Sequence, residues 1–187
     1  MVRVEDLNIT FFHAAKNAGS AIEKWLKNNS NCEVYNDDIR HGNPIRLKPL
    51  FDDYGWSFCV IRNPWDRVVS WYRFFVKQKK VTCSFGSYIE EAYRRGYDRS
   101  TRKYMIPISS QLPFSRNVSY VMRYENITED FKEVQKRFNC FKPLTKFNVS
   151  NIQNKNYVDY FNNTKHIKLV QKWHEEEIEE YNYTFGG

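Results

Sequence analysis

The sequence lacks the features that mark a metal site, a membrane span or a nucleic-acid-binding arm. Its four cysteines, Cys32, Cys59, Cys83 and Cys140, form no Cys-x-x-Cys pair and have no histidine at metal-ligand spacing beside them. The N-terminal residues do not have the pattern expected of a signal peptide, and the sequence contains no long basic tail and no apolar run of the about 18 residues that a membrane span requires. We therefore expect no metal ion, no membrane span and no nucleic-acid partner.

The composition is that of a folded protein that attracts anions. A length of 187 residues suits one domain, residues 1–187, and 41% hydrophobic residues with 17% aromatics can form a core. The formal net charge of +7 favours an anionic partner, whether a nucleotide, an acidic glycan, nucleic acid or a lipid surface, and does not choose among them. Cys59 lies in an apolar run and is predicted to be buried, whereas the disulfide state of the other three cysteines stays open.

The hydrophobic pattern alternates between strands and helices, without internal repeats. Such alternation predicts an α/β fold of three layers, with a central, mostly parallel sheet flanked by helices. The predicted strands are residues 7–13, 56–61 and 118–123. The predicted helices are residues 20–28, a long one that begins at Pro64, 87–95, 129–138 and 164–181, with Thr128 as an N-cap.

Two strand-loop-helix units place basic side chains where a parallel sheet binds anions, at the carboxyl ends of its strands. The first unit has Lys16 before Ala18 and Gly19, small residues that let the backbone approach an anion. The second has Arg62 at the strand end, followed by Arg67 and Ser70 on one helix face. A donor with anionic groups at both ends would occupy both units.

These segments resemble two motifs of one enzyme family. FFHAAKNAGSAI, residues 11–22, resembles the 5′-phosphosulfate loop of sulfotransferases that use 3′-phosphoadenosine 5′-phosphosulfate (PAPS), in particular the carbohydrate sulfotransferases. FCVIRNPWDRVVSWY, residues 58–72, resembles the 3′-phosphate motif of that family, in the same order. RYENI, residues 123–127, and residues 157–185 are similar to its strand-end motif and closing helix. In the first motif Asn17 replaces the commoner threonine, and Ala14-Ala15 replaces an apolar-proline pair.

The resemblance implies a P-loop-like fold and a PAPS-dependent O-sulfotransferase. Such an enzyme transfers a sulfuryl group to a hydroxyl acceptor, here expected on an acidic carbohydrate, and releases 3′-phosphoadenosine 5′-phosphate (PAP). Lys16 would stabilise the leaving oxygens, Arg62 and Ser70 would hold the 3′-phosphate, and Arg67 is a weaker candidate. The side chain of Asn17 would donate to an oxyanion, and the amides of residues 18–21 would hold the 5′ end. The implied donor-binding residues are Lys16, Asn17, Ala18, Gly19, Ser20, Ala21, Arg62 and Ser70.

The catalytic base is expected to be His41, which lies between the two motifs where the 2-O-sulfotransferases of this family carry a His-rich segment. Glu125 is the alternative, since other sulfotransferases use a carboxylate. His13 is interpreted as a packed, hydrogen-bonded residue beside the loop, and His166 and His174 as solvated. Residues 104–114, bounded by prolines, are the predicted acceptor loop.

Two other functions are compatible with a basic α/β chain. A P-loop kinase is disfavoured because Lys16 precedes Gly19, whereas a Walker motif places lysine after its last glycine. A non-catalytic module that binds glycans or nucleic acid through exposed aromatics is disfavoured because Phe58, Tyr72 and Phe75 fall at core-facing positions. The chain as given is expected to be soluble and cytoplasmic; the alternative is a lumenal, Golgi-type location for a fragment of a membrane-anchored protein.

Overall fold

The computed structural model describes residues 1–35, 37–51, 53–95, 109–145 and 156–187. The chain forms two compact units. The first consists of Met1–Arg62 and Gln111–Val149, and the second of Asn63–Ser110 and Ser150–Gly187. The expectation of a single domain stays a prediction.

The elements follow the predicted alternation. The strands are β1 Val2–Val4, β2 Ile9–Phe12, β3 Glu33–Val34, β4 Trp56–Ile61 and β5 Tyr120–Arg123. The helices are α1 Gly19–Asn29, α2 Asp37–Arg40, α3 Pro44–Leu47, α4 Pro64–Lys77, α5 Phe85–Arg95, α6 Leu112–Ser115, α7 Ile127–Arg137, α8 Thr164–Trp173 and α9 Glu175–Tyr181. Short 3₁₀ turns occur at Glu5–Leu7, Lys48–Leu50, Tyr124–Asn126 and Tyr157–Tyr160.

The first unit contains a five-stranded mixed sheet in the order β3-β1-β2-β4-β5. Strands β2, β4 and β5 are parallel, with Phe11 opposite Phe58 and Ile61 opposite Arg123. Strand β1 is antiparallel to both of its neighbours. The α/β class and the three parallel strands are confirmed, whereas the short strands β1 and β3 were not predicted from the sequence.

One face of this sheet forms the core of the first unit. Alternate residues of the strands, such as Phe11 and Phe58 with ring centroids 5.0 Å apart, point toward helices α1 and α7. Trp25 of α1 meets Phe131 of α7 edge to face at 5.0 Å. The rest of the buried cluster consists of Val2, Val4, Ile9, Ile22, Leu26, Val60, Met122 and Val134.

Helices and an aromatic cluster form the second unit. Asn63 caps α4, because its Oδ1 accepts a hydrogen bond from the Trp65 amide at 3.1 Å, and Pro64 occupies the first turn as predicted. Helix α4 packs against α5 and α8. Tyr72 of α4 lies edge to face with Phe85 of α5, with centroids 5.4 Å apart.

Two helix boundaries differ from the sequence predictions. The predicted helix over residues 164–181 is two helices, because the backbone leaves helical geometry at His174 (φ −116°, ψ 22°). Three glutamates then form the first turn of α9, at the helix end where negative charge is favourable. Thr128 lies inside α7, whose N-cap position is Asn126.

The four cysteines are free thiols, and burial raises the pKa of Cys59 above its ordinary value. Within the described parts of the chain, no helix combines the length and the apolar character needed to cross a membrane.

Candidate active site

The loop between β2 and α1 has the backbone shape of an anion cradle. Lys16 and Ala18 have positive φ values of 70° and 59°, and Asn17 between them does not. Left-handed geometry is costly for residues other than glycine, and it occurs at turns, at helix ends and at functional sites. Alternation of left- and right-handed residues turns successive N–H groups toward one point, which is the geometry of anion-binding nests.

Helix α1 begins directly at this cradle without a side-chain cap. The side chain of Ala18 accepts no hydrogen bond from the first-turn amides, and the first turn contains no acidic residue. The positive end of the helix dipole is therefore not neutralised by its own first turn. The Ala21 amide, which was expected to hold the donor, donates to the Ala18 carbonyl at 2.9 Å, and its role in donor binding stays a prediction.

Asn17 fastens the loop to the end of β4. Its amide nitrogen donates to the carbonyl of Val60 at 2.7 Å and to Oε1 of Gln111 at 2.5 Å. Gln111 also pairs with the backbone of Arg62, accepting from its amide at 3.0 Å and donating to its carbonyl at 2.9 Å. Both amide protons of Asn17 are thus used within the protein, where they position the loop, and the assignment of Asn17 to donor binding stays a prediction.

Arg62 lies at the carboxyl end of β4, beside the same loop. Its Nη1 donates to the carbonyl of Lys16 at 3.0 Å, and its guanidinium carbon lies 3.9 Å from the centroid of the Tyr124 ring. Tyr124 directly follows β5. The structure therefore brings two predicted site residues, Lys16 and Arg62, to one edge of the parallel strands, and it adds Tyr124 as a stacking partner.

His13 begins the loop and belongs to a buried charged cluster. Its Nδ1 lies 2.7 Å from Oε1 of Glu23, and Arg40 donates to both oxygens of the same carboxylate, at 2.9 and 2.6 Å. These donors hold the pKa of Glu23 at about 2 although burial opposes ionisation, whereas burial lowers the pKa of His13. The interpretation of His13 as a packed, hydrogen-bonded residue is confirmed.

The His13 ring also packs on the start of α1. A Cβ added to Gly19 would lie 1.9 Å from Cδ2 of this ring, a distance that no packing permits. Glycine is therefore required here by close approach, in addition to its place in the motif.

His41, the predicted base, lies at the surface next to His13. Its Nδ1 is 3.1 Å from the carbonyl oxygen of His13, and the two ring centroids are 4.6 Å apart. A carbonyl only accepts, so Nδ1 carries the proton and the neutral ring has its lone pair on Nε2. The pKa of His41 is lowered, mainly because the surrounding protein displaces water and further because of the Arg40 charge.

The remaining candidates have different surroundings. Glu125 is exposed in the 3₁₀ turn after β5. Ser70 is buried on α4 in the second unit. Arg67, also buried there, donates to the carbonyl and hydroxyl oxygens of Ser109 at 2.6 and 3.1 Å. Of the predicted acceptor loop, residues 104–108 lie outside the described residues.

Two histidines predicted to be solvated are buried. His166 is 9% exposed with Nε2 3.1 Å from Glu90, and His174 is 2% exposed with Nδ1 3.2 Å from Glu177. Helix-helix packing in the second unit removes both from water, which the polar sequence around them did not indicate. Among the residues that the structure describes, no group of three or more His, Cys, Asp or Glu side chains is placed to hold a metal ion.

Sequence reasoning predicted no contact at this edge for Glu23, Arg40, Gln111 or Tyr124, although Tyr124 lies in the strand-end motif and Gln111 in the predicted acceptor loop. Their partners lie from 10 to 94 positions away along the chain, and Glu, Arg and Gln are types that are usually solvated. A local signal pointed to the burial of Glu23, which lies three residues before Leu26 and therefore shares the buried side of α1 with it.

The fold and this edge define an α/β protein in which basic side chains and a nest-shaped loop meet at the carboxyl ends of parallel strands. Over 92 residues, 48% of this chain and 72% of the relative, the sequence is 33% identical to a protein of Archaeoglobus fulgidus whose name is "Uncharacterized protein". The chain belongs to the same protein family as that archaeal protein, whose name assigns no activity. No model of a known family matches the chain.

A solved sulfotransferase from Alicyclobacillus acidocaldarius superposes with a TM-score of 0.49 and 14% sequence identity, over 88% of this chain and 94% of that one. At this level of similarity the likeness leaves the activity of this chain open.

Proposed function

We propose that this protein is a sulfotransferase that transfers a sulfuryl group from PAPS to a hydroxyl group of a carbohydrate acceptor. The observation that carries the proposal is the contact between Arg62 and the carbonyl of Lys16, which brings a guanidinium beside the nest-shaped loop that contains Lys16. The motifs over residues 11–22 and 58–72 support it independently, since they resemble the two donor-binding segments of that family.

The loop suits the phosphosulfate end of the donor. Its backbone N–H groups and the start of α1 favour bound negative charge, and the Lys16 ammonium adds a mobile point charge. As the sulfur leaves the 5′-phosphate, negative charge grows on the phosphate oxygens. Stabilisation of that charge by Lys16 and the amides lowers the barrier, because these groups need no rearrangement during the reaction.

The same site supplies a proton acceptor. In an in-line displacement the acceptor oxygen forms a bond to sulfur while the bond from sulfur to the phosphate oxygen breaks. Nε2 of His41 takes the hydroxyl proton, since its Nδ1 is already held by the carbonyl of His13. The products are the sulfate ester, PAP and a proton that His41 returns to solvent. Glu125 is the alternative base, at the carboxyl end of β5.

The 3′-phosphate distinguishes PAPS from ATP, and we assign it to Arg62 with Ser70. Arg62 keeps a forked, permanently charged group at the strand end, orientated by the Tyr124 ring. Ser70 is assigned a hydrogen bond from its hydroxyl because the motif over residues 58–72 resembles the 3′-phosphate motif of the family. Arg62 belongs to the first unit and Ser70 to the second. The proposal that both residues bind one phosphate therefore rests on the sequence motif alone.

The charge at the strand ends disfavours a kinase. The residues that end or directly follow the three parallel strands are His13, Arg62 and Arg123. A P-loop kinase has a carboxylate near this edge that helps to hold Mg²⁺. The basic set suits a donor with an additional phosphate.

The aromatic residues do not favour a non-catalytic binding module. Phe58 and Phe75 are 0% and 4% exposed, so they cannot serve as stacking platforms for a glycan or a nucleic acid. These two aromatic residues belong to the core. We place the acceptor at the surface near His41.

Nucleotide binding tests the donor assignment. We expect PAP at about 100 times its Kd to stabilise the wild type by about 3 kcal/mol, or about 5–10 °C in Tm. Arg62→Ala and Lys16→Ala should reduce this shift, Arg62→Ala the more strongly. Arg46→Ala and Lys27→Ala, exposed residues away from the loop, are the matched controls. Stabilisation by MgATP with no response to PAP would refute the proposal.

Sulfate transfer tests the reaction. Labelled PAPS is offered with a panel of neutral and acidic glycans, and label in the glycan is measured for the wild type, His41→Ala and Glu125→Gln. We expect His41→Ala to lower kcat by about 100-fold with PAP binding retained. Loss of activity in Glu125→Gln alone would transfer the role of base to Glu125.

A further inference from the structure

We propose that Glu23 is a positioning residue for His41, which it holds from both sides through His13 and Arg40. This inference rests on the proposed function, because it assigns a role within the same site. It adds a residue that no motif includes and that does not itself touch the reacting atoms.

One carboxylate joins the two segments that flank His41. Oε1 of Glu23 lies 2.7 Å from Nδ1 of His13, whose carbonyl oxygen lies 3.1 Å from Nδ1 of His41. Both oxygens of Glu23 also accept from Arg40, at 2.9 and 2.6 Å, and Arg40 directly precedes His41 in the chain. The ring of His41 is therefore fixed through its hydrogen bond and through its own backbone.

The cluster is too costly to be incidental packing. Glu23 is 5% exposed, and burying a carboxylate is strongly unfavourable unless donors replace its hydration. Three donor nitrogens converge on it here. A leucine would fill the same position on the buried side of α1 without that cost. The carboxylate therefore serves the groups that it holds.

The consequence for His41 is a fixed tautomer. Nδ1 must carry the proton to donate to the carbonyl of His13, so Nε2 is the basic atom. Glu23 contacts His13, Arg40 contacts Glu23 and directly precedes His41, and the Met1 amino group donates to the carbonyls of Ile39 and Arg40. Their arrangement keeps the two imidazoles in one protonation pattern near neutral pH.

The test follows the tautomer of His41 directly. Long-range ¹H–¹⁵N spectra distinguish an imidazole protonated on Nδ1 from one protonated on Nε2, and His41→Gln identifies the signal. We expect wild-type His41 to be protonated on Nδ1. In Glu23→Gln and Glu23→Asp we expect a mixture of tautomers, with kcat lowered by about 10–100-fold and the KM for PAPS within about twofold.

Two Glu23 variants are used so that one folded protein is available, because Glu23→Asp keeps the charge that Arg40 requires. Glu129→Gln, which breaks a surface ion pair with Lys132, is the control and should leave the tautomer and the rate unchanged. A wild-type tautomer and pH profile in any folded Glu23 variant would overturn the inference. Should the wild type transfer no sulfate, the proposed function fails, whereas the tautomer result still tests the positioning role.

Discussion

Nη1 of Arg62 donates a hydrogen bond to the carbonyl oxygen of Lys16 at 3.0 Å, so the cation at the end of β4 also fixes the loop that follows β2. The guanidinium is held on its other face by the Tyr124 ring at 3.9 Å. One side chain thus joins the carboxyl ends of all three parallel strands. The predictions below follow from the geometry of this edge.

Replacement of Arg62 by lysine should not preserve nucleotide binding. Lysine keeps the charge, but a single ammonium cannot both donate to the Lys16 carbonyl and stack on Tyr124 as the planar group does. We expect the Kd for PAP to rise by about 10-fold in Arg62→Lys, measured by calorimetry. Arg46→Lys should bind as the wild type does, and equal affinity in both variants would contradict a role for the forked geometry.

An added methyl group at Gly19 should disturb both the fold and the site. The Cβ of Gly19→Ala would collide with the His13 ring, which cannot move freely because Glu23 holds it. We expect a loss of about 1–3 kcal/mol of stability, from chemical denaturation, and weaker PAP binding. Lys27→Ala, at an exposed position of the same helix, is the control. A Gly19→Ala protein as stable as the wild type would show that the His13 ring can adopt another position without loss of stability.

A carboxylate in place of the Asn17 amide should release the loop. In Asn17→Asp, the oxygen that replaces Nδ2 would face both the carbonyl of Val60 and Oε1 of Gln111, which are acceptors themselves. We expect the variant to lose about 2–4 kcal/mol in denaturant unfolding, because a buried charge without donors is costly. The same change at the exposed Asn28 should cost less than about 0.5 kcal/mol. Equal effects at the two positions would contradict the positioning role.

Stability should fall in two steps as the solution is acidified. His13 and His41 have pKa values below the ordinary 6.5, so the stability that their neutral forms contribute is lost as the pH falls below about 6.5. Glu23 has a pKa of about 2 against an ordinary 4.5, so its contribution, on the order of 3 kcal/mol, is lost between pH 4.5 and 2.

Denaturant unfolding across this pH range separates the two steps. Glu23→Gln should flatten the lower step, whereas Glu129→Gln, at an exposed site, should leave it in place. A lower step of unchanged height in Glu23→Gln would show that other carboxylates cause it.

Local sequence patterns predicted a large part of the fold. The apolar run of β4 was located from Trp56 to Ile61, as in the structure, and Pro64 marked the start of α4. Both depend on neighbouring residues alone. Strands β1 and β3 escaped prediction because they have three and two residues, too few to show an alternating pattern, and they form only through pairing with β2 and with each other.

By itself the sequence determined the order of elements, the small-residue loop at Lys16 and the basic residue at the end of β4, since each follows from residues adjacent in the chain. Only the tertiary structure decided that Arg62 donates to the carbonyl of Lys16 and that Asn17 donates to Gln111. The same holds for the hydrogen bond from Arg40 to Glu23 beside His41. Those contacts join residues 17 to 94 positions apart. Their energies depend on burial and pairing, which a chain acquires only when its strands and helices come together.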